Sequence, residues 1–348
     1  MRISVDCRMI DASGIGAYLK GCLPRFIETG HDFLLIGDRR KLAAFSGKEN
    51  VRIIHCTVKP FSLKEIFFPP ADLINAVNKT ELFFSPYFNI PARIRVPVYT
   101  TIHDIIFPDM PELCSRAGLA ARMWFYRRAV KLSKKIFTVS LFSKSRIEHH
   151  LGKTKPVIVA HSGLQDSYPQ KSRRRTEGKK YILFIGNIKK HKGLSCLIEA
   201  FRDARNAGLD YKLVIVGEKN NFRTSGGEYF FDDDHVLFTG FVSDERLREL
   251  LCEAALLVQP SLYEGFGLPP LEALASGTPA LVSDIPAFKE IYAGYPVTYF
   301  EAGNSAALRD KLFALLGDGI PPRVELDSDL REKYTFSRTT EIILREVL

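Results

Sequence analysis

No apolar run in this 348-residue chain approaches the roughly 20 residues needed to cross a bilayer, which excludes a helical membrane span. The opening residues, Met1-Arg2-Ile3-Ser4-Val5-Asp6, enter a strand-like pattern without the apolar region of a signal peptide, so a cytoplasmic location is expected. Six cysteines (Cys7, Cys22, Cys56, Cys114, Cys196, Cys252) are scattered, and no pair has CxxC spacing. Reduced core thiols are therefore expected rather than disulfides or a zinc site. Acid is nearly missing between Arg116 and Lys155, where eleven Lys and Arg face Glu148 alone. No nucleic-acid motif accompanies that run, which leaves an anionic lipid surface or a solvated basic face as its readings.

What is present is the composition of an ordinary globular protein, 46% hydrophobic and 26% charged. The length points to two domains, since single cores rarely grow past roughly 250–300 residues. In the first half, strand patterns at Ile3 to Asp6, Phe33 to Ile36, Val51 to Ile54, Leu82 to Phe84, Val96 to Ile102, Ile136 to Val139 and Val157 to Ala160 alternate with helical ones. Phe61 to Val77 reads as one mixed helix. Alternation of this kind predicts a parallel, doubly wound α/β sheet. Gln170 to Lys180 is wholly polar and reads as an exposed linker. A second α/β series follows, with strands predicted at Tyr181 to Ile185, Leu213 to Val216, Val236 to Phe238, Ala254 to Val258 and Ala280 to Val282. Helices at Ala306 to Leu316 and Leu330 to Leu348 close the chain. The predicted organisation is an N-terminal domain 1–169, a linker 170–180, a second domain 181–330 and a terminal helix 331–348 folded back on the first domain.

The most informative stretch is Ser261-Leu-Tyr-Glu264-Gly265-Phe266-Gly267-Leu268-Pro269-Pro270-Leu271-Glu272, running on to Gly277 and Pro279. A buried strand delivers the chain to it, a proline suits the first helical position, and Gly277 ends the helix. Glu264 is thus predicted in the loop and Glu272 in the helix's first turn. Backbone N–H groups between them form a natural anion site. The pair suits a nucleotide sugar, with carboxylates accepting from hydroxyls and amides holding phosphate or sugar oxygens. Two solvated acids on a strand–turn–helix connection are the plain alternative. Gly14 and Gly16, in a turn after the first strand, allow close approach of a phosphate or sugar, although a tight turn alone also explains them. His103 and Asp104 follow a strand end, where open α/β sheets place ligands. Asp232-Asp233-Asp234 mimics a metal-binding run but lies in a polar loop beside Gly226 and Gly227.

The run Glu264 to Glu272 resembles the EX7E motif of the retaining glycosyltransferases of family 4, which have the GT-B fold of two Rossmann-like doubly wound domains facing across a cleft. Ser13-Gly14-Ile15-Gly16, Thr101-Ile102-His103-Asp104, Thr138-Val139-Ser140, Lys192-Gly193, Gly240-Phe241 and Glu290 carry the resemblance along nearly the whole chain. The segment from His103 to Glu112 is most similar to bacterial mannosyl- and rhamnosyltransferases of surface polysaccharide assembly. The resemblance implies transfer of a hexose, mannose-like and carried on GDP, from a nucleotide sugar to a glycan or lipid-linked glycan. It implies that Glu272 accepts from the ribose hydroxyls, that Glu264 faces the donor sugar, and that Lys192 neutralises the leaving diphosphate. Gly14, Gly16, Gly186, Asn187, Phe241, Gly265, Phe266, Gly267 and Leu268 complete the donor set, and His103 lies near the anomeric carbon. No metal and no other cofactor are expected, because a lysine takes the phosphate charge. The protein is expected to be cytoplasmic, peripheral on the inner face of the membrane through Arg116 to Lys155, and without nucleic acid. The family's usual arginine beside the phosphate-binding lysine is replaced here by Asn187 and His191. An epimerase of the same fold, or a catalytically weak glycan- or nucleotide-binding subunit, are the competing readings.

Overall fold

The computed structural model describes residues 1–165, 168, 180–217 and 234–348. The chain divides into two units, the first formed by 1–163 with 334–348 and the second by 164–333. The predicted linker lies outside the described residues except for Lys180, as do Gly226, Gly227, Asp232 and Asp233.

In the first unit, β1 (Arg2–Asp6) is followed by α1 (Ser13–Glu28), β2 (Asp32–Gly37) and β3 (Val51–His55). Next come α2 (Leu63–Phe67), α3 (Ala71–Val77), β4 (Leu82–Ser85), β5 (Val98–Thr101) and α4 (Ile106–Asp109). The unit continues through α5 (Arg116–Leu132), β6 (Ser133–Thr138), α6 (Leu141–Leu151) and β7 (Val157–Val159). The seven strands form one parallel sheet in the order β3-β2-β1-β4-β5-β6-β7. The single mixed helix expected over Phe61 to Val77 is two helices. Pro69 and Pro70 split it, because a proline inside a helix removes one hydrogen bond and clashes with the preceding turn.

The second unit repeats the design with β8 (Tyr181–Ile185), α7 (Leu194–Asn206), β9 (Lys212–Val216), β10 (Val236–Gly240) and α8 (Asp244–Glu253). These lead into β11 (Leu256–Gln259), α9 (Leu268–Ala275), β12 (Ala280–Ser283), α10 (Pro286–Ile291), β13 (Val297–Phe300), α11 (Ser305–Leu316) and α12 (Ser328–Lys333). Its parallel sheet has the order β10-β9-β8-β11-β12-β13. The alternation of a strand's side chains splits the core into two layers. Ile182 and Phe184 pack with α7 and α11, while Tyr181 and Leu183 pack with Leu250 and Leu251 of α8 and Ala273 of α9. Strand β13 was not expected. Its Val-Thr-Tyr-Phe pattern is half polar and sits at the sheet edge, where burial is weakest.

The last expected helix is also two, because the chain leaves helical geometry before Thr335, whose hydroxyl caps α13 (Phe336–Val347). Helix α13 returns to the first unit. The Phe336 ring lies against Gly21 of α1, where any Cβ would overlap it at 2.1 Å. Lys135 of β6 also donates to the Glu346 carboxylate at 2.9 Å.

Both sheets reverse direction at one point, between β1 and β4 and between β8 and β11. In sheets of this order, ligands bind outside the carboxyl ends of the strands that flank the reversal. That rule selects the loops after β8 and β11, and those after β1 and β4.

Candidate active site

At the reversal point of the second unit, the loop after β8 carries Lys192 and the loop after β11 carries Glu264. Lys192 Nζ donates to both Glu264 oxygens, at 2.7 and 2.8 Å. Glu264 is buried, and its Oε1 also accepts from the Ser261 hydroxyl at 2.8 Å. Behind Ser261, Gln259 Nε2 donates to the Ser261 oxygen at 3.2 Å, and Ser283 donates to the Ser261 carbonyl. The carboxylate is thus fixed on two sides by groups from three strand ends. An ammonium has three donors, and two face Glu264, so the third is left to point elsewhere.

Two backbone features bring the loops together. Leu262 N–H donates to the His191 carbonyl at 2.7 Å. Gly193 has φ +66°, and a Cβ there would sit 1.9 Å from the Pro260 carbonyl oxygen. Glycine is therefore required twice over, once for the left-handed conformation and once for the close approach. The Lys192-Gly193 pair seen in the sequence is explained by that contact: the glycine lets the lysine's loop lie on the loop of Glu264.

Helix α9 begins at Leu268 after Gly267, which has φ +81° and lies against the Phe288 ring. Glu272 is consequently in the second turn, not the first as expected. The helix starts at Leu268, one residue before the first proline. Pro269 and Pro270 carry no N–H, and Leu271 N–H donates to the Tyr292 hydroxyl at 3.1 Å. Tyr292 in turn donates to the Gly267 carbonyl. The donors that this helix end offers an anion come from Leu268 and the glycine loop before it.

Burial pushes the Glu272 carboxyl up to about 7, opposed by a hydrogen bond from Tyr168 and reinforced by Asp244. His191 is depressed to about 4, by burial first and then by Lys192. It is therefore neutral at pH 7, and neither it nor Asn187 supplies the positive charge that an arginine would bring. Gly186 bonds through its N–H to the Val216 carbonyl at 3.0 Å, and Asn187 beside it is half-buried. Phe241, just past β10, is an exposed ring.

In the first unit, His103 follows β5 and is pinned on three sides. Its Nε2 lies 2.8 Å from the Pro86 carbonyl, its own carbonyl accepts from Ser143 at 3.0 Å, and the Tyr18 ring meets it edge-on at 4.9 Å. A carbonyl can only accept, so Nε2 carries the proton and Nδ1 is the acceptor. Burial depresses His103 to about 4, so it is a neutral imidazole at physiological pH. Gly14 and Gly16 lie in the first turn of α1 rather than in a turn before it. Open space surrounds a Cβ at Gly14, whereas one at Gly16 would lie 2.4 Å from the Ile10 carbonyl. Packing alone accounts for Gly16. Lys192, Glu264, Glu272 and the glycine loop thus belong to the second unit, and His103, Gly14 and Gly16 to the first.

Arg116 to Lys155 is not one face, because it runs through α5, β6 and α6. Several of its bases are already engaged. Arg146 is paired with Asp109 at 2.9–3.0 Å through Nε, Arg128 donates to the Ile90 carbonyl, and Arg122 lies 4.0 Å over the Phe107 ring. Among the described residues, no group of three or more His, Cys, Asp or Glu is placed to hold a metal ion, and no helix is long and apolar enough to cross a membrane.

Residues 167–333, nearly the whole second unit, match the model of the family described as glycosyl transferases group 1. Similar proteins include the O-antigen chain mannosyltransferase RfbU of Salmonella typhimurium, 31% identical over 202 residues, or 55% of this chain and 53% of that protein. The phosphatidyl-myo-inositol mannosyltransferase of Mycobacterium leprae is 32% identical over 160 residues, 44% of this chain and 40% of that one. The chain spans about half the length of the curated relatives it matches. HepE of Anabaena, solved with UDP and glucose, is similar over 99% of this chain and 95% of its own at 15% identity, with a TM-score of 0.67. Sucrose-phosphate synthase of Thermosynechococcus elongatus gives a TM-score of 0.68 over 99% and 94% at the same identity. These two likenesses concern the fold, two Rossmann-like units of the GT-B type.

Four residues of the candidate site were missed in the sequence: Gln259, Ser261, Tyr168 and Tyr292. Ser261 sits three residues before Glu264 at a strand end, a spacing that could have marked it. Tyr168 and Tyr292 carry no local signal, because only the tertiary fold brings them to Glu272 and to the start of α9.

Proposed function

We propose that the protein transfers a hexose, mannose by preference, from a nucleotide-sugar donor to a glycan or lipid-linked glycan, with retention of anomeric configuration. The observation that carries this reading is the Lys192–Glu264–Ser261 group at the sheet's reversal point, directly before the glycine loop of α9. In it, the third donor of Lys192 takes the diphosphate of the donor while Glu264 keeps the ammonium aimed. A fixed cation facing the charge that develops on the leaving group lowers the barrier in the way an oxyanion donor does, by roughly 3–4 kcal/mol. Glu264, balanced by Lys192 and bonded to Ser261, serves as an orienting and sugar-facing carboxylate. We do not assign it the role of nucleophile. Amides from Gly265 to Leu268 hold phosphate or sugar oxygens, Glu272 accepts from the ribose hydroxyls, and Gly186, Asn187 and Phe241 border the nucleotide. His103, through Nδ1, accepts a hydrogen bond from a donor-sugar hydroxyl. The mannosyltransferase names of relatives support mannose as the sugar; GDP-mannose is our choice of donor, no metal is invoked, and the enzyme works at the inner membrane face.

Asn187 and the neutral His191 favour a second reading, a donor-binding subunit of weak activity. One experiment decides between them. GDP-mannose, UDP-glucose and dTDP-rhamnose are each screened for thermal stabilisation, because a ligand of the native state raises its stability. The stabilising donor is then incubated with a polyprenyl-linked oligosaccharide. Stabilisation by GDP-mannose with labelled product of retained configuration is the expected result. Stabilisation without product supports the binding subunit, and conversion of the donor with no acceptor present supports an epimerase.

Glu272 adds a pH dependence. Its carboxyl accepts ribose hydroxyls best when ionised, and it titrates near 7. Donor affinity is therefore expected to rise between about pH 6 and 8, and Glu272→Gln is expected to flatten that rise. The stability sign is opposite. A raised carboxyl holds its proton in the folded state after the unfolded chain has released it, so stability falls as pH climbs from about 4.5 to 7. Isothermal titration of the donor at several pH values checks the first statement, and melts of both proteins check the second.

A further inference from the structure

Helix α2 is a five-residue piece whose outward side chains, with Phe68 just after it, are exposed. Leu63 is 76% exposed, Phe67 54% and Phe68 72%, while Glu65 and Ile66 of the same turn are buried. Pro69 and Pro70 stop the helix immediately afterwards, so it cannot lengthen to hide them. The fold holds this arrangement through charge. At the reversal point of the first sheet, Arg8 pairs with Asp6 and Glu65, and its Nη2 donates to the Tyr87 hydroxyl at 3.0 Å. Glu65 Oε2 accepts from the Phe61 N–H at 2.8 Å and from Asn89. With its carboxylate anchored inward, α2 cannot rotate, and its leucine and phenylalanines stay in solvent.

The apolar surface continues onto α5. The Phe61 ring meets Phe125 edge-on at 5.6 Å, and Phe125 meets Trp124 at 5.0 Å. Trp124 is 48% exposed, and Arg127 and Lys131, three and seven residues later, share its side of the helix. Every exposed charge on the two segments is positive. Between 56 and 70 the only acid is the buried Glu65, against exposed Lys59 and Lys64, and between 116 and 132 there is none.

We infer that this plate is a contact for an anionic bilayer. Leu63, Phe67 and Phe68 enter the acyl boundary, Trp124 lies at the headgroup level, and Lys59, Lys64, Arg127 and Lys131 meet the lipid phosphates. The charge decides for lipid. Exposed bases on both segments beside interface-seeking aromatics suit phosphate headgroups, whose attraction adds to burial of apolar area, and exposed Asp72 at the start of α3 is the acid next to them in sequence. The inference deepens the membrane part of the proposed function and does not depend on the transfer reaction.

Trp124 is the chain's one tryptophan, so its fluorescence reads the contact directly. The full chain is mixed with vesicles of equal parts phosphatidylglycerol and phosphatidylcholine, some with brominated acyl chains, and with pure phosphatidylcholine. Expected are a blue shift and bromine quenching on the anionic vesicles, weakened by salt, and little change on the neutral ones. Phe67→Ser with Phe68→Ser, both in exposed positions, is expected to lower vesicle affinity roughly 100-fold with an unchanged melting curve. Lys64→Gln with Lys131→Gln is expected to reduce the salt sensitivity. An unshifted spectrum on anionic vesicles, or full binding by the double serine variant, overturns the inference. So does concentration-dependent self-association without lipid that itself shifts Trp124, since the plate would then face a second copy. Donor stabilisation is measured on the same preparations. A protein stabilised by donor but indifferent to vesicles loses only the membrane contact, and the reverse result removes only the transfer reading.

Discussion

Lys192→Met is expected to lower turnover by about 10²–10³-fold, the range found when a single preorganised oxyanion donor is removed, while leaving the fold intact. The geometry gives the variant a second consequence. Glu264 is buried and has Lys192 as its ion-pair partner, so the methionine leaves a carboxylate held by Ser261 without its cation. A lost hydrogen bond to a charged group costs about 1.5–3 kcal/mol, and a measurable drop in melting temperature is expected to accompany the loss of activity. Lys192→Met with Glu264→Gln separates the two effects. Removing both charges is expected to restore most of the stability and none of the turnover. If the double variant regained activity together with its melting temperature, Lys192 would be a structural cation and its placement on the diphosphate would be wrong. Steady-state kinetics with saturating acceptor, beside calorimetric melts, supply both numbers.

The second large effect lies away from the chemistry. Arg8→Met removes the cation that the first unit places between two buried carboxylates, Asp6 and Glu65. Removing one partner of a buried ion pair costs about 3–5 kcal/mol, or roughly 6–20 °C in melting temperature for a unit of this size. The cost carries a pH signature that lost packing would lack. Burial already pushes Glu65 up to about 7, against the downward pull of Arg8. Without Arg8 its carboxyl rises further, so the variant keeps that proton over a wider range than the unfolded chain does. Its stability deficit is therefore expected to be smaller near pH 5 than near pH 8, with the loss at Asp6 remaining at both. Melts at the two pH values check this, and an equal deficit at both would reduce Arg8 to a packing role. The network has another use. It fills the place after β1 and β4 where the second sheet keeps its ligand loops, and so commits the first unit's reversal point to holding α2.

That difference between two sheets of equal strand order shows where reading residues in a line succeeds. Strand and helix alternation was legible, since it needs only periodicity and glycine or proline stops. Its errors were local. Phe61 to Val77 looked continuous because its apolar spacing runs across Pro69 and Pro70, and β13 was overlooked because an edge strand need not be apolar. Glu264, Lys192, His103 and the glycine loop could be picked out because their residue types and strand-end positions are written in the chain. The partners that tune them could not. Tyr168 stands 104 positions from Glu272 in the numbering and meets it only in the folded unit.

By itself, then, the sequence determined the two α/β halves, the second half's resemblance to glycosyltransferases, and the Glu264–Glu272 run as the place to look. Tertiary structure alone decided that Lys192 clasps Glu264, because Gly193 lies on the Pro260 carbonyl and no local pattern encodes that contact. It alone depressed His103 and His191 and raised Glu272, since burial sets those shifts. It also turned a basic stretch into separate pieces and exposed the phenylalanines of α2, because which face of a short helix meets solvent is settled by the buried charges that hold its other face.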